Sequence, residues 1–217
     1  MIYAVLFDFD GTLADSYTAI TASVNHVLSY YGMENLTESV VRKKVGYGLE
    51  HLMKELMPQI DPAESARIYR EHHPSVMFTY TKLLPGVEKT LELLNQQQIR
   101  LAVCSNKPSA ITRKLVSYLG LTNRFDLVLG PEDVEAPKPH PAMLLHALKI
   151  FGVPKKQSLY VGDMTIDIET ARAAEVKVWI VATGSHDTET LKAANPDRLL
   201  ASMEEFPDLW YPLNQEK

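Results

Sequence analysis

Ile2-Tyr3-Ala4-Val5-Leu6-Phe7-Asp8-Phe9-Asp10-Gly11-Thr12 is the stretch that decides the architecture. Residues 2–7 are almost continuously apolar, and the run stops at two acids, a glycine and a threonine. Without polar alternation, such a run predicts a strand buried on both faces, as in a parallel sheet. Runs 99–104, 125–129, 158–161 and 176–182 share this character, and Leu199-Leu200 marks a short last strand. Helical spacing predicts helices over 87–95, 109–119, 141–151 and 166–174. Strands alternating with helices of this length imply an α/β fold, a Rossmann-like parallel sheet core.

Residues 16–82 interrupt the alternation. They contain no convincing strand and predict amphipathic helices over 17–31, 37–45, 49–57 and 63–79, punctuated by Gly32, Gly46, Gly48 and the 58–62 region. A helical block inserted after the first strand is expected to form a cap over the sheet's carboxyl edge, where open α/β sheets bind ligands. The expected division is a catalytic core of residues 1–15 and 84–217 and a helical cap of residues 16–83, with Leu83-Leu84-Pro85-Gly86 as the return hinge.

Composition narrows the partners. The net charge is −5 and no basic stripe is visible, so nucleic acid is not expected. The single cysteine, Cys104, forms no internal disulfide. No apolar run approaches the ~20 residues of a membrane span, and residues 1–7 lack a basic signal-peptide region. A cytoplasmic protein, without membrane contact, is the expectation.

Four constellations carry chemistry, each at a predicted strand end. Asp8 and Asp10 are two apart, so both carboxylates can point the same way from a strand. Crowded carboxylates need a cation or a proton to relieve them, although an isolated pair reads equally as turn acids. An EF-hand is disfavoured, because Thr12 and Ala19 stand where that loop needs acids. In Gly162-Asp163-Met164-Thr165-Ile166-Asp167 the two acids are four apart and share a face if a helix begins there. Asp163 alone would pass as a helix cap, but two acidic strand ends suit an oxygen-ligated Mg²⁺. Ser105-Asn106-Lys107 offers a hydroxyl, an amide and backbone N–H groups for an anion, or simply a turn before Pro108. Lys138, between Pro137 and Pro139, is restrained by its prolines; it fits a cation balancing carboxylates and phosphate, or a solvated loop lysine.

In order and spacing, Asp8-Phe9-Asp10-Gly11-Thr12-Leu13, Ser105-Asn106, Lys138-Pro139-x-Pro141 and Gly162-Asp163-x-x-x-Asp167 resemble the four motifs of the haloacid dehalogenase-like superfamily. The match spans essentially the whole chain, and the helical insert resembles that superfamily's C1 cap. The chain is most similar to phosphoglycolate phosphatase-like and pyrophosphatase-like members. The resemblance implies that Asp8 is the nucleophile, that Asp10 is the acid and base, and that Lys138 orients Asp8. It implies Ser105, Asn106, Gly11 and Thr12 as phosphate-binding residues. Mg²⁺ would be held by Asp8, the Asp10 carbonyl and Asp163, with Asp167 in support. An acid at position 10 favours phosphoryl transfer, because a departing halide needs no proton.

The implied activity is Mg²⁺-dependent hydrolysis of a small phosphomonoester through an aspartyl-phosphate. Phosphoglycolate is the first candidate, ahead of inorganic pyrophosphate or a sugar phosphate. A phosphomutase is the alternative from another class; the cap lacks the Arg- and Ser-containing run expected of one. A phosphonate hydrolase would need a cap lysine, and a non-catalytic relative would have lost a motif acid. Lys43, Lys44 and Tyr47, near the Gly46-Tyr47-Gly48-Leu49 turn, are candidate specificity residues of the cap. A monomer or a homodimer is expected. Two departures stand out: Met164 replaces the usual Ser or Thr of motif four, and Glu175 replaces the usual glycine after Ala174. His72-His73 reads as cap-helix surface, and Cys104 as a buried inert thiol.

Overall fold

The computed structural model describes residues 1–215 and divides them between two compact units. In chain order its elements are β1 (Ala4–Phe7), β2 (Ala14–Asp15), α1 (Tyr17–Tyr30), α2 (Glu38–Arg42), α3 (Leu49–Leu56), α4 (Pro62–Val76) and β3 (Lys82–Leu83). Then come α5 (Val87–Gln96), β4 (Arg100–Cys104), α6 (Ser109–Tyr118), β5 (Leu127–Leu129), α7 (Ala142–Phe151), β6 (Ser158–Gly162) and α8 (Thr165–Ala174). The chain ends with β7 (Lys177–Val181), α9 (Thr188–Ala193), β8 (Arg198–Leu200) and α10 (Phe206–Gln215).

The first unit, Met1–Ala14 with Leu83–Lys217, holds a six-stranded sheet of order β5-β4-β1-β6-β7-β8; residues 216 and 217 lie outside the described residues. Every pairing in this sheet is parallel. The order reverses between β1 and β6, the switch point at which such sheets form their ligand crevice. All four β1 residues are buried: β1 is central, between β4 and β6, and on one face Ala4 and Leu6 join a core with Met143, Leu144 and Ala147 of α7. The register sets up the site. Phe7 pairs with Val103 and with Val161, so β1, β4 and β6 end level with one another. Asp8, the Cys104-Ser105 junction and Gly162-Asp163 therefore emerge side by side, on strands about 5 Å apart.

The second unit, Asp15–Lys82, is helical. Its core joins Ile20, Val24, Val27 and Leu28 of α1 to Leu52 and Met53 of α3 and Ala66, Ile68 and Tyr69 of α4. The start of α4 follows from its sequence: Asp61 accepts the Ala63 N–H, and Pro62 occupies the first turn, where no N–H partner is needed. β2 and β3 pair as a two-stranded ribbon.

The predicted elements form, with ends moved by one to three residues; α2 is shorter, confined to Glu38–Arg42. Two helices and the short strands β2 and β3 escaped the sequence reading; β3 begins at Lys82, inside the stretch read as free of strand. α10 contains Pro207 and Pro212, which read as breakers, yet Phe206 and Trp210 bury within the first unit. There Phe206 lies against Trp179 at 5.1 Å and Trp210 Nε1 donates to Gln97 Oε1. α9 has only six residues and one buried apolar side chain, Leu191, so it carries little periodic signal.

The histidine pair is a correction. His73 is buried rather than on the surface, with Ser23 Oγ 3.0 Å from its Nδ1, and His72 stacks on His26 at 4.1 Å. α4 packs against α1 along the face that carries both residues, and burial together with the nearby His26 holds His72 below the ordinary histidine range. Among the described residues no helix is long and apolar enough to cross a membrane.

Candidate active site

Asp8 leaves the end of β1 with Oδ1 accepting the Phe9 N–H at 2.7 Å and Oδ2 lying 2.9 Å from Lys138 Nζ. The Ser105 hydroxyl also donates to Asp8. Burial raises the Asp8 carboxyl to about 6; Lys138 opposes the rise and Asp167 adds to it.

Lys138 is 3% exposed, so the solvated-lysine alternative fails. Its Nζ meets Asp8 at 2.9 Å, Asp167 Oδ1 at 2.7 Å and the Tyr160 hydroxyl at 3.1 Å. Burial alone would push the ammonium down, but the Asp167 and Asp8 carboxylates outweigh it and hold Lys138 above the usual lysine range. The backbone is pinned as well. Lys138 N–H donates to Asn106 Oδ1 at 2.9 Å, and Asn106 Nδ2 donates to the Lys138 carbonyl at 3.0 Å. Asn106 thus ties the end of β4 to the Lys138 loop.

Asp167 is engaged through both oxygens. Oδ1 takes Lys138 and the Tyr160 hydroxyl, and Oδ2 accepts the N–H groups of Asp163 and Met164. The departure at Met164 therefore leaves α8 capped: Asp167, three residues on, accepts the Met164 N–H, and no side-chain hydroxyl at 164 is required. Glu175 ends α8 in the left-handed conformation, at φ 59°, where glycine is favoured.

Asp163 is fully buried. Its Oδ1 accepts from the Thr12 hydroxyl at 2.8 Å, whereas its Oδ2 is buried with no hydrogen-bond partner. Burial and the Asp167 and Asp8 carboxylates push its carboxyl well above the usual range. Gly184 approaches so closely that a Cβ there would overlap Asp163 Oδ2. Ligand oxygens of Asp8, Asp163 and Asp167 lie within 4.8 Å of one another. Three carboxylates against one ammonium leave two negative charges when ionised. An orphaned buried oxygen and a charge deficit of two fit a divalent cation.

Asp10 lies beside this group. Both of its oxygens face Lys107 Nζ, at 3.2 and 3.1 Å. Gly11, at φ 85°, turns the chain, and its carbonyl accepts from Thr183. The candidates Lys43, Lys44 and Tyr47 belong to the helical unit, where Lys44 pairs with Glu55 at 2.9 Å and Tyr47 is 5.2 Å from the His51 ring. Cys104 is buried, and desolvation pushes its thiol far up, as expected of an inert cysteine.

Tyr160 and Gly184 were missed in the sequence. Tyr160 had one visible sign, a polar-tipped aromatic in a largely aliphatic strand; its hydroxyl lies 3.0 Å from the Cys104 carbonyl and 2.9 Å from Asp167 Oδ1, two acceptors that share its one proton. Gly184 had none, because its role depends on where β7 ends relative to Asp163.

A doubly wound parallel sheet with a carboxylate–lysine centre and a cation cradle at its switch point defines an α/β enzyme that handles anions. The model of the haloacid dehalogenase-like hydrolases matches residues 5–181. The chain belongs to that family, and within it to the phosphoglycolate phosphatase-like branch. It is 31% identical over 215 residues to the plasmid phosphoglycolate phosphatase of Cupriavidus necator, covering 96% of this chain and 93% of the relative. The phosphoglycolate phosphatase of Aquifex aeolicus is 33% identical over 180 residues, covering 83% and 84%. The crystal structure of a predicted phosphoglycolate phosphatase from Haemophilus somnus 129pt aligns with a TM-score of 0.91 at 25% identity, over 96% of this chain and 98% of that one.

Proposed function

We propose that the enzyme is a Mg²⁺-dependent phosphatase for a small phosphomonoester, with phosphoglycolate as first substrate. The carrying observation is the buried Asp8 carboxylate, paired with Lys138 beside the unpartnered Asp163 oxygen. The relatives named phosphoglycolate phosphatase support the substrate assignment. Mg²⁺ would be held by Asp8, the Asp10 carbonyl and Asp163, with Asp167 in support. When bound, it neutralises phosphate charge so that an anionic nucleophile can approach.

In the first step an Asp8 oxygen bonds to phosphorus while the bond to the ester oxygen breaks, and Asp10 gives that oxygen its proton. In the second step water attacks the aspartyl-phosphate and Asp10 takes a water proton. The bonding pair returns to Asp8 and phosphate leaves. Lys138 keeps Asp8 oriented and balances charge in both transition states. Ser105 and Asn106 would receive the phosphoryl oxygens; the other two phosphate-binding candidates are already engaged, since the N–H groups of Gly11 and Thr12 donate to the Ala14 and Phe9 carbonyls and the Thr12 hydroxyl to Asp163. Lys43, Lys44 and Tyr47 would set specificity, and their alanine variants should raise KM for the true substrate alone. A cytoplasmic monomer or homodimer completes the proposal; the lone thiol Cys104 fits a reducing compartment.

The test is phosphate release from phosphoglycolate, pyrophosphate, sugar phosphates and an aryl phosphate, with and without Mg²⁺, beside Asp8→Asn. One substrate standing well above the rest, lost without Mg²⁺ and in the variant, is expected. Full activity in Asp8→Asn would overturn the mechanism.

A further inference from the structure

Lys107 has no place in the mechanism above, yet its ammonium lies 3.2 and 3.1 Å from the two oxygens of Asp10. Both side chains are largely shielded, at 8% and 13% exposed. An exposed ion pair of two mobile side chains contributes little, but a shielded cation in contact with both oxygens restricts the carboxylate to one orientation. The lysine is itself fixed. Its N–H donates to Ser105 Oγ at 3.3 Å, and Gly130 packs so closely that a Cβ there would run into the Lys107 carbonyl and the Ser109 nitrogen. Glu132 then anchors the start of α6 by accepting from the Ser109 N–H and hydroxyl. The backbone that carries Lys107 is therefore held by Ser105 before it and by the Glu132–Ser109 bonds after it.

We propose that Lys107 is the positioning residue for Asp10, holding its carboxyl group where it meets the leaving oxygen and then the attacking water. The proposal rests on the role of Asp10 given under Proposed function. Asp10 lies on the turn after β1, where rotation about its side-chain bonds would move the carboxyl by several ångströms. General acid–base catalysis contributes roughly 10²–10⁴-fold and depends on hydrogen-bond reach to the reacting atom. Loss of the clamp should therefore act on proton transfer and leave substrate binding alone.

The experiment compares Lys107→Met, Lys107→Arg and Asp10→Asn on two substrates, phosphoglycolate and an aryl phosphate whose phenolate leaves without a proton. Rapid-mixing and steady-state rates are measured in Mg²⁺, with thermal unfolding as a control for folding. Lys107→Met should lose about 10–100-fold in kcat on phosphoglycolate at unchanged KM. With the aryl phosphate it should give a burst of phenolate followed by slow turnover, because only the second step still needs Asp10. Asp10→Asn should show the same signature more strongly, and Lys107→Arg should recover most of the rate. An equal rise in KM on both substrates would assign Lys107 to phosphate binding and overturn the proposal. Equal kcat losses on both substrates without a burst would overturn it too. Absence of the burst in Asp10→Asn would instead refute the role of Asp10; the burst in Asp10→Asn but not in Lys107→Met would refute only Lys107.

Discussion

Replacing Lys138 by methionine tests the electrostatic logic of the site. The chain stem is kept and one buried ammonium is removed, leaving Asp8 and Asp167 without the partner that meets them at 2.9 and 2.7 Å. Two charge-assisted contacts of about 1.5–3 kcal/mol each are lost. Breaking a buried ion pair on one side costs about 3–5 kcal/mol in comparable settings. For a chain of this size 1 kcal/mol moves the midpoint by roughly 2–4 °C, so Lys138→Met should melt about 6–20 °C lower at pH 8. The effect has a definite pH sign. Asp8 is already raised to about 6 with the lysine present, and removing a cation raises it further. A carboxyl raised by folding destabilises as pH climbs through its folded value, so the penalty is largest at pH 8 and shrinks at pH 5. The assay is thermal and urea unfolding without metal at both pH values, together with Lys138→Met/Asp167→Asn, which should recover part of the loss. A penalty under about 1 kcal/mol at pH 8, or a larger one at pH 5, would refute the reasoning.

Mg²⁺ at 100 times its dissociation constant should stabilise the wild type by about 2.7 kcal/mol, seen as a higher melting temperature. Asp163→Asn should abolish that shift. Protons compete for the raised Asp8 and Asp163 carboxylates, so the Mg²⁺-induced shift should be smaller at pH 5 than at pH 8; titrating Mg²⁺ at both pH values checks it. Gly184→Ala pushes a methyl group onto Asp163 Oδ2 and should remove Mg²⁺ binding, measured by calorimetry, while circular dichroism stays native. Glu175→Gly relieves a left-handed cap worth about 1–2 kcal/mol and loses an exposed pair with Lys155. A net gain of about 0.5–1 kcal/mol in urea unfolding is expected, with unchanged kcat.

The strands of the parallel sheet and the helical insert were legible because both rest on local patterns: unbroken apolar runs for strands buried on two faces, and 3.6-residue spacing for the insert; the strand order was not. The acids were legible for the same reason, since Asp8, Asp10 and Asp163 stand where an apolar strand stops. Such a pattern reports the local chain only. α10 was hidden by two prolines, and its helix exists because Phe206 and Trp210 find Trp179 and Gln97, which are far away in sequence.

By itself the sequence determined the parallel sheet, the helical insertion and which residue types line the carboxyl edge. Tertiary structure alone decided what those residues do to one another. The level ending of β1, β4 and β6 brings Asp8, Ser105 and Asp163 together, and Asn106 pins Lys138 between two carboxylates. Lys107 reaches back to Asp10 across 97 positions of chain. Charge coupling and desolvation depend on distances of a few ångströms between segments far apart in sequence, and only the packed fold sets those distances.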